Sequence, residues 1–172
     1  QTGDALSCAT ITRTASGQVS AITNPLINIG GVKTRTIDLN ILWTSPAWDF
    51  GQFFARSYTT FLLEYTEQTP TSDGFVGVKR EGTERGSPDQ AFPEFKSTGI
   101  IDWTLNEFSG SVTGRYINGV DEGNGNHLNS RFYTDLQLRW NPDHLNGFGF
   151  TLGVNNLFNV DPPGCFTCGL NN

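Results

Sequence analysis

The sequence predicts an all-β fold, an antiparallel up-and-down meander of about six strands, and three observations carry that prediction. Apolar and polar residues alternate over long stretches, the mark of a strand with one apolar face. Nothing with a helical period separates those stretches, so consecutive strands pair with one another. The composition fits: 12% aromatic residues, 20 Gly, 8 Pro and no Met disfavour both a helical bundle and a disordered chain.

The first alternating segment runs from Ile37 to Trp43, with Ile37, Leu39, Ile41 and Trp43 on one side and Asp38, Asn40 and Leu42 on the other. The second, Phe53 to Tyr65, sets Phe53, Ala55, Ser57, Thr59, Phe61, Leu63 and Tyr65 against Arg56, Tyr58, Thr60 and Glu64. In the third, Ile101, Trp103 and Leu105 oppose Asp102 and Thr104; in the fourth, Phe108, Val112 and Tyr116 oppose Ser109, Ser111, Thr113 and Arg115. The fifth places Phe132, Leu136, Leu138 and Trp140 opposite Asp135, Gln137 and Arg139. The sixth, Gly147 to Leu157, alternates Phe148, Phe150, Leu152 and Val154 with glycines, Thr151 and Asn155.

The connections alternate in length. Short turns follow the first, third and fifth segments, around Ser45 to Asp49, Asn106-Glu107 and Asn141 to Asn146. Long polar stretches, about Gln68 to Phe92 and Asn118 to Ser130, follow the second and fourth, and the stretches outside the strands, to Arg35 and from Asn159, fall on that same rim. Short turns on one rim and long loops on the other is the pattern of a transmembrane β-barrel, of which six strands make a segment, since closure takes about 8. Trp43, Trp48, Phe53, Trp103, Phe108, Trp140 and Phe148 cluster at the short-turn rim, where amphipathic rings sit at a membrane interface; Tyr65, Tyr116 and Phe132 are candidates for the opposite girdle. A soluble β-sandwich would also alternate, but it has no reason to gather tryptophans on one rim.

Lys and Arg number 11 against 17 Asp and Glu, a net charge of −6, so no basic field exists to hold a nucleic acid. No run approaches the roughly 18 consecutive apolar residues of a spanning helix, which leaves strands as the only route across a membrane.

The segment Gly153-Val154-Asn155-Asn156-Leu157-Phe158-Asn159 resembles the G-x-x-N-L-F-[DN] signature found near the last strands of TonB-dependent outer-membrane receptors, with Gly153, Asn156, Leu157 and Phe158 as the matching positions. Asn28 to Thr34 leading into Ile37-Asp38-Leu39, and the strand ending Leu62-Leu63-Glu64-Tyr65, are similar to late barrel strands of the same family. The resemblance implies a bacterial outer-membrane location, a barrel of about 22 strands around a plug domain, and energised uptake through TonB. The ligand would be a small nutrient such as a siderophore, cobalamin or a carbohydrate. On this reading residues 1–172 are part of the barrel domain, with the plug, the TonB-contacting segment and the final strand outside them. A passive porin is the alternative within barrels.

Within that frame Asp38, Asn40, Arg56, Glu64, Asp102, Arg115, Asp135, Gln137 and Arg139 are expected to face the lumen, and Glu64 and Arg115 to lie nearest the outer mouth. Leu39, Leu63, Val112, Leu138 and Leu152 are expected to face outer-membrane lipid. No enzyme and no cofactor are expected. The two histidines, His127 and His144, fall at opposite rims and cannot share a metal or a proton relay, and no nucleophile-elbow or phosphate-loop motif is present. The run Asp121 to Asn126 has oxygen ligands at alternate spacing but lacks a closing Glu, so a solvated flexible loop is preferred to a calcium site. Cys165-Phe166-Thr167-Cys168 could serve zinc, redox chemistry or a local disulfide; no second CxxC and no following helix support the first two. The oxidising location implied by the resemblance favours a disulfide, leaving Cys8 without a partner in this chain.

Overall fold

The computed structural model describes residues 11–23, 30–71, 74–85, 90–145 and 147–168. Among them eleven strands follow in chain order: β1 (Ile11–Arg13), β2 (Val19–Ile22), β3 (Gly31–Thr44), β4 (Gln52–Thr71), β5 (Gly74–Lys79), β6 (Phe95–Leu105), β7 (Phe108–Ile117), β8 (Val120–Asp121), β9 (His127–Leu128), β10 (Arg131–Trp140) and β11 (Phe150–Val154). They divide into two units, residues 1–33 with 66–79, and residues 34–65 with 80–172.

In the first unit β1 and β2 form an antiparallel hairpin about Gly17, whose φ of +84° suits glycine, with Gly17 N–H donating to Thr14 O at 2.9 Å. The end of β4 pairs with β5 in a second hairpin, from Thr66 opposite Lys79 to Thr71 opposite Gly74. This corrects the sequence reading, in which Gln68 to Phe92 is a loop: β4 runs to Thr71 and the chain returns as β5.

The second unit is built on one sheet, in the order β11-β10-β7-β6-β4-β3, so spatial order follows chain order. Register fixes which residues share a face. Ala55, Ile101, Val112, Leu136 and Val154 are successive Cα partners across five strands, and Phe53, Trp103, Gly110, Leu138 and Leu152 form the next such row. One step along the strands, Asp102, Ser111, Gln137 and Gly153 line up, and beside them Arg56, Ile100, Thr113 and Asp135. Period two thus sorts the sheet into an apolar and a polar face.

Among the described residues nothing packs against the apolar face. Ile101 is 53% exposed, Val112 44%, Leu138 48% and Leu152 67%. The buried hydrophobic residues among those described are Phe92, Val120 and Leu128, all from connections at the long-loop rim. A sandwich would bury the middle of its sheets. This sheet buries a small cluster at one end.

The rims differ as their sequences do. Between β3 and β4 Ser45 is buried and its Oγ accepts from Phe53 N–H at 2.9 Å, while Gly51, at φ +114°, brings the chain against the Trp103 ring nitrogen and to where a Cβ would lie 2.6 Å from Thr104 O. Only glycine fits there. Trp103 Nε1 donates to Phe50 O at 2.8 Å, and Trp140 stacks between Phe108 and Phe150 with centroids 6.2 and 5.7 Å away. The β10–β11 connection carries a single 3-10 turn, Asp143–Leu145, and β11 starts at Phe150 instead of Gly147, because Gly147 turns the chain at φ +89°. At the far rim Phe95 meets both Phe61 and Tyr116, and Tyr65 meets Phe92 at 4.3 Å. The stretch Asn118 to Ser130, read from sequence as irregular, contains the short β8–β9 pair.

Candidate functional site

On the polar face opposite charges stand diagonally on neighbouring strands, two residues out of register. Arg56 pairs with Asp102, whose other oxygen accepts from Ser111 Oγ at 2.6 Å. Arg115 pairs with Asp135 at 3.0 Å and lies 5.9 Å from the centroid of the Tyr133 ring. Thr60 Oγ1 donates to Asp38 at 2.6 Å, and Arg35 reaches Glu64 at 3.8 Å. Arg139 Nε donates to Asn141 at 3.1 Å. The side chains of Asn40 and Gln137 are exposed and make no hydrogen bond to another described residue. Each ion pair is partly open to solvent, so each contributes about 1 kcal/mol or less. Their effect is to keep the face hydrated and able to bond to something placed against it.

The Gly153-to-Phe158 segment explains itself locally. Asn156 adopts φ +52°, a left-handed conformation that asparagine tolerates better than most residues, and so ends β11. Its side chain closes the turn in both directions, donating to Val160 O at 3.1 Å and accepting from Val160 N–H at 2.9 Å. Its own N–H donates to Asp135 at 2.8 Å, which ties the turn to the Arg115 pair, and Leu157 N–H donates to Thr134 O at 2.7 Å. Leu157 and Phe158 stay exposed.

Sequence reasoning missed what Glu122 does. The acidic run is no free loop: Glu122 is 4% exposed, and its Oε1 accepts from Phe166 N–H at 2.8 Å, from Thr167 N–H at 2.9 Å and from Thr167 Oγ1 at 2.9 Å. Asn126 donates to Oε2. With its oxygens spent on protein donors, Glu122 is an anchor and not a calcium ligand. Cys165 and Cys168 are joined by a disulfide with Cα atoms 5.5 Å apart, and that tight loop aims both amides at one oxygen. Their sulfurs lie beside Glu84 in a cluster of metal-ligand character, but the disulfide removes them as ligands. Asp121 pairs with His127 Nδ1 at 2.6 Å, and His144 lies against the Trp140 ring, 6.4 Å between centroids. Cys8 lies outside the described residues.

The clasp is pH-dependent with a definite sign. Burial pushes the Glu122 carboxyl up, and the hydrogen bonds from Asn126, Thr167 and Phe166 outweigh it, leaving its pKa below the ordinary 4.5. A carboxyl depressed in the folded state stabilises that state above its unfolded pKa and stops doing so as pH falls through the folded value. Hydrogen-exchange protection of the Phe166 and Thr167 amides is therefore expected to hold at pH 7 and to drop only below about 4.5. Glu122→Gln should abolish that dependence; protection unchanged down to pH 3 would contradict the clasp.

A sheet with an uncovered apolar face, a hydrated polar face and aromatic rims is a wall of a transmembrane β-barrel. A family model described as TonB-dependent receptor-like β-barrel matches residues 6–157, and the chain belongs to that family. The family comprises transporters, not enzymes, and implies the bacterial outer membrane. Comparison with curated proteins and with solved structures gives no match.

Proposed function

We propose that this chain forms part of the wall of an outer-membrane receptor that imports a small nutrient using energy delivered through TonB. The observation that carries the reading is the sorting of faces: a row such as Ala55, Ile101, Val112, Leu136 and Val154 meets lipid, while the rows holding Arg56, Asp102, Arg115 and Asp135 meet the lumen. The other proposed lumen positions, Asp38, Asn40, Glu64, Gln137 and Arg139, offer donors and acceptors to a plug domain supplied by the rest of the receptor. A plugged barrel admits no free diffusion, so import needs an energised partner. Collapsing the proton gradient in cells bearing the full receptor is expected to stop ligand accumulation while surface binding persists. Accumulation that continues to equilibrium would identify a passive channel.

A further inference from the structure

At the long-loop end of the polar face lies a cavity of about 150 Å³ that none of the ion pairs described above enters. Val120 and Leu128, both buried, form its walls with Pro93 and Tyr133. Polar lining comes from Arg131 and the amides Asn118 and Asn129. An apolar space of about 150 Å³ takes a single benzene-sized ring. A sugar ring, with a hydroxyl on nearly every carbon, would leave several of them unpaired against valine, leucine and proline, and each would cost free energy. The wall chemistry selects an aromatic ring.

Arg131 supplies the charge. Its Nε donates to Asp161 O at 2.8 Å and its Nη1 to Ser130 O at 3.2 Å, so two backbone carbonyls hold the guanidinium in place. No carboxylate among the described residues pairs with it, unlike Arg56 and Arg115, which are spent on Asp102 and Asp135. In a chain of net charge −6, a held guanidinium on the lining of an apolar cavity, its Nη2 bonded to no described residue, is a place for an anion.

We propose that this cavity is a subsite for an aromatic ring carrying a carboxylate, the class that benzoate represents. The proposal rests on the lumen assignment of the polar face, because only then does this end of the sheet face an arriving solute. It deepens that reading by naming the chemistry of the ligand.

The test uses the full receptor in detergent micelles and saturation-transfer NMR with three probes: benzoate, benzyl alcohol, which has the ring without the charge, and glucuronate, which has the charge on a hydroxylated ring. Benzoate is expected to bind most tightly. Arg131→Gln should weaken it roughly tenfold or more, the scale of a lost charge-assisted hydrogen bond. Ala91→Phe, at an exposed position on the cavity wall, should block benzoate while leaving the two carbonyl anchors of Arg131 untouched. It keeps the test alive if Arg131→Gln misfolds. Absence of benzoate binding, equal binding of benzyl alcohol, or indifference to both variants would overturn the subsite. Failure of the membrane reading is separate, since it shows in lipid accessibility of the apolar face whatever benzoate does.

Discussion

Placing arginine at Val112 is expected to destabilise the membrane-inserted receptor by roughly 2–4 kcal/mol, the cost of a cation on the lipid face of a barrel near the bilayer centre. Val112 lies midway along β7 and its row neighbours are Ile101 and Leu136, so the new charge would have apolar side chains on both sides and no acceptor within its row. The adjacent Thr113→Arg turns to the other face, where its partners in register are Ile100 and Asp135. A carboxylate and water are within reach there. That substitution should cost well under 1 kcal/mol. Phe108→Arg, at the first residue of β7, belongs to the rim and should fall between the two. Equilibrium unfolding in lipid vesicles measures all three, and equal costs at 112 and 113 would mean that the two faces do not meet different solvents.

Asn156→Ala is expected to cost about 2–3 kcal/mol. Two side-chain hydrogen bonds to Val160 are lost, each about 1 kcal/mol net, and alanine pays more than asparagine to hold φ +52°. Asn156→Gly loses the same two bonds but keeps the backbone freedom, so it should cost about 2 kcal/mol, less than alanine by the strain at φ +52°. The same unfolding assay separates the variants. If alanine and glycine cost the same, the left-handed backbone contributes nothing to this turn.

Much of the fold was legible because period two is a long-range signal in a long strand. From Asp135 to Trp140 β10 alternates strictly and its faces follow, although Tyr133 and Thr134 before that stretch break the pattern. The pattern fails where strands are short or polar. The β8 and β9 strands have two residues each, too few to show any period, and the end of β4, Thr66 to Thr71, is nearly all polar with a proline at 70, so it reads as a loop. Its partner β5 carried a usable signal, Phe75, Val76 and Val78 after an Asp-Gly pair in the sequence, which the surrounding polar residues obscured. The family signature was legible as a motif, yet its physical content, a left-handed asparagine whose side chain bonds Val160 through both its N–H and its carbonyl, is set by backbone conformation that the residue types do not announce. The Glu122 clasp joins residues more than forty apart in sequence, 44 in the case of Phe166, and no local pattern announces such a contact. Nor does a pattern show that Arg56 and Arg115 are spent on carboxylates while Arg131 is not, since all three occur in similar strand contexts.

Cost of mutation alone does not identify the solvent on the apolar face, because a dry protein core would also reject arginine. Spin labels at Val112, Leu138, Thr113 and Arg139 in the receptor reconstituted into lipid do identify it. Oxygen dissolves in the bilayer and a charged nickel chelate does not, so the two relaxants report lipid and water separately. The wall of a barrel predicts that labels at 112 and 138 are relaxed by oxygen and not by nickel, and that labels at 113 and 139 lack the oxygen effect. Labels at 112 and 138 shielded from both relaxants, with 113 and 139 freely reached by nickel, would show a covered protein core and contradict the membrane assignment.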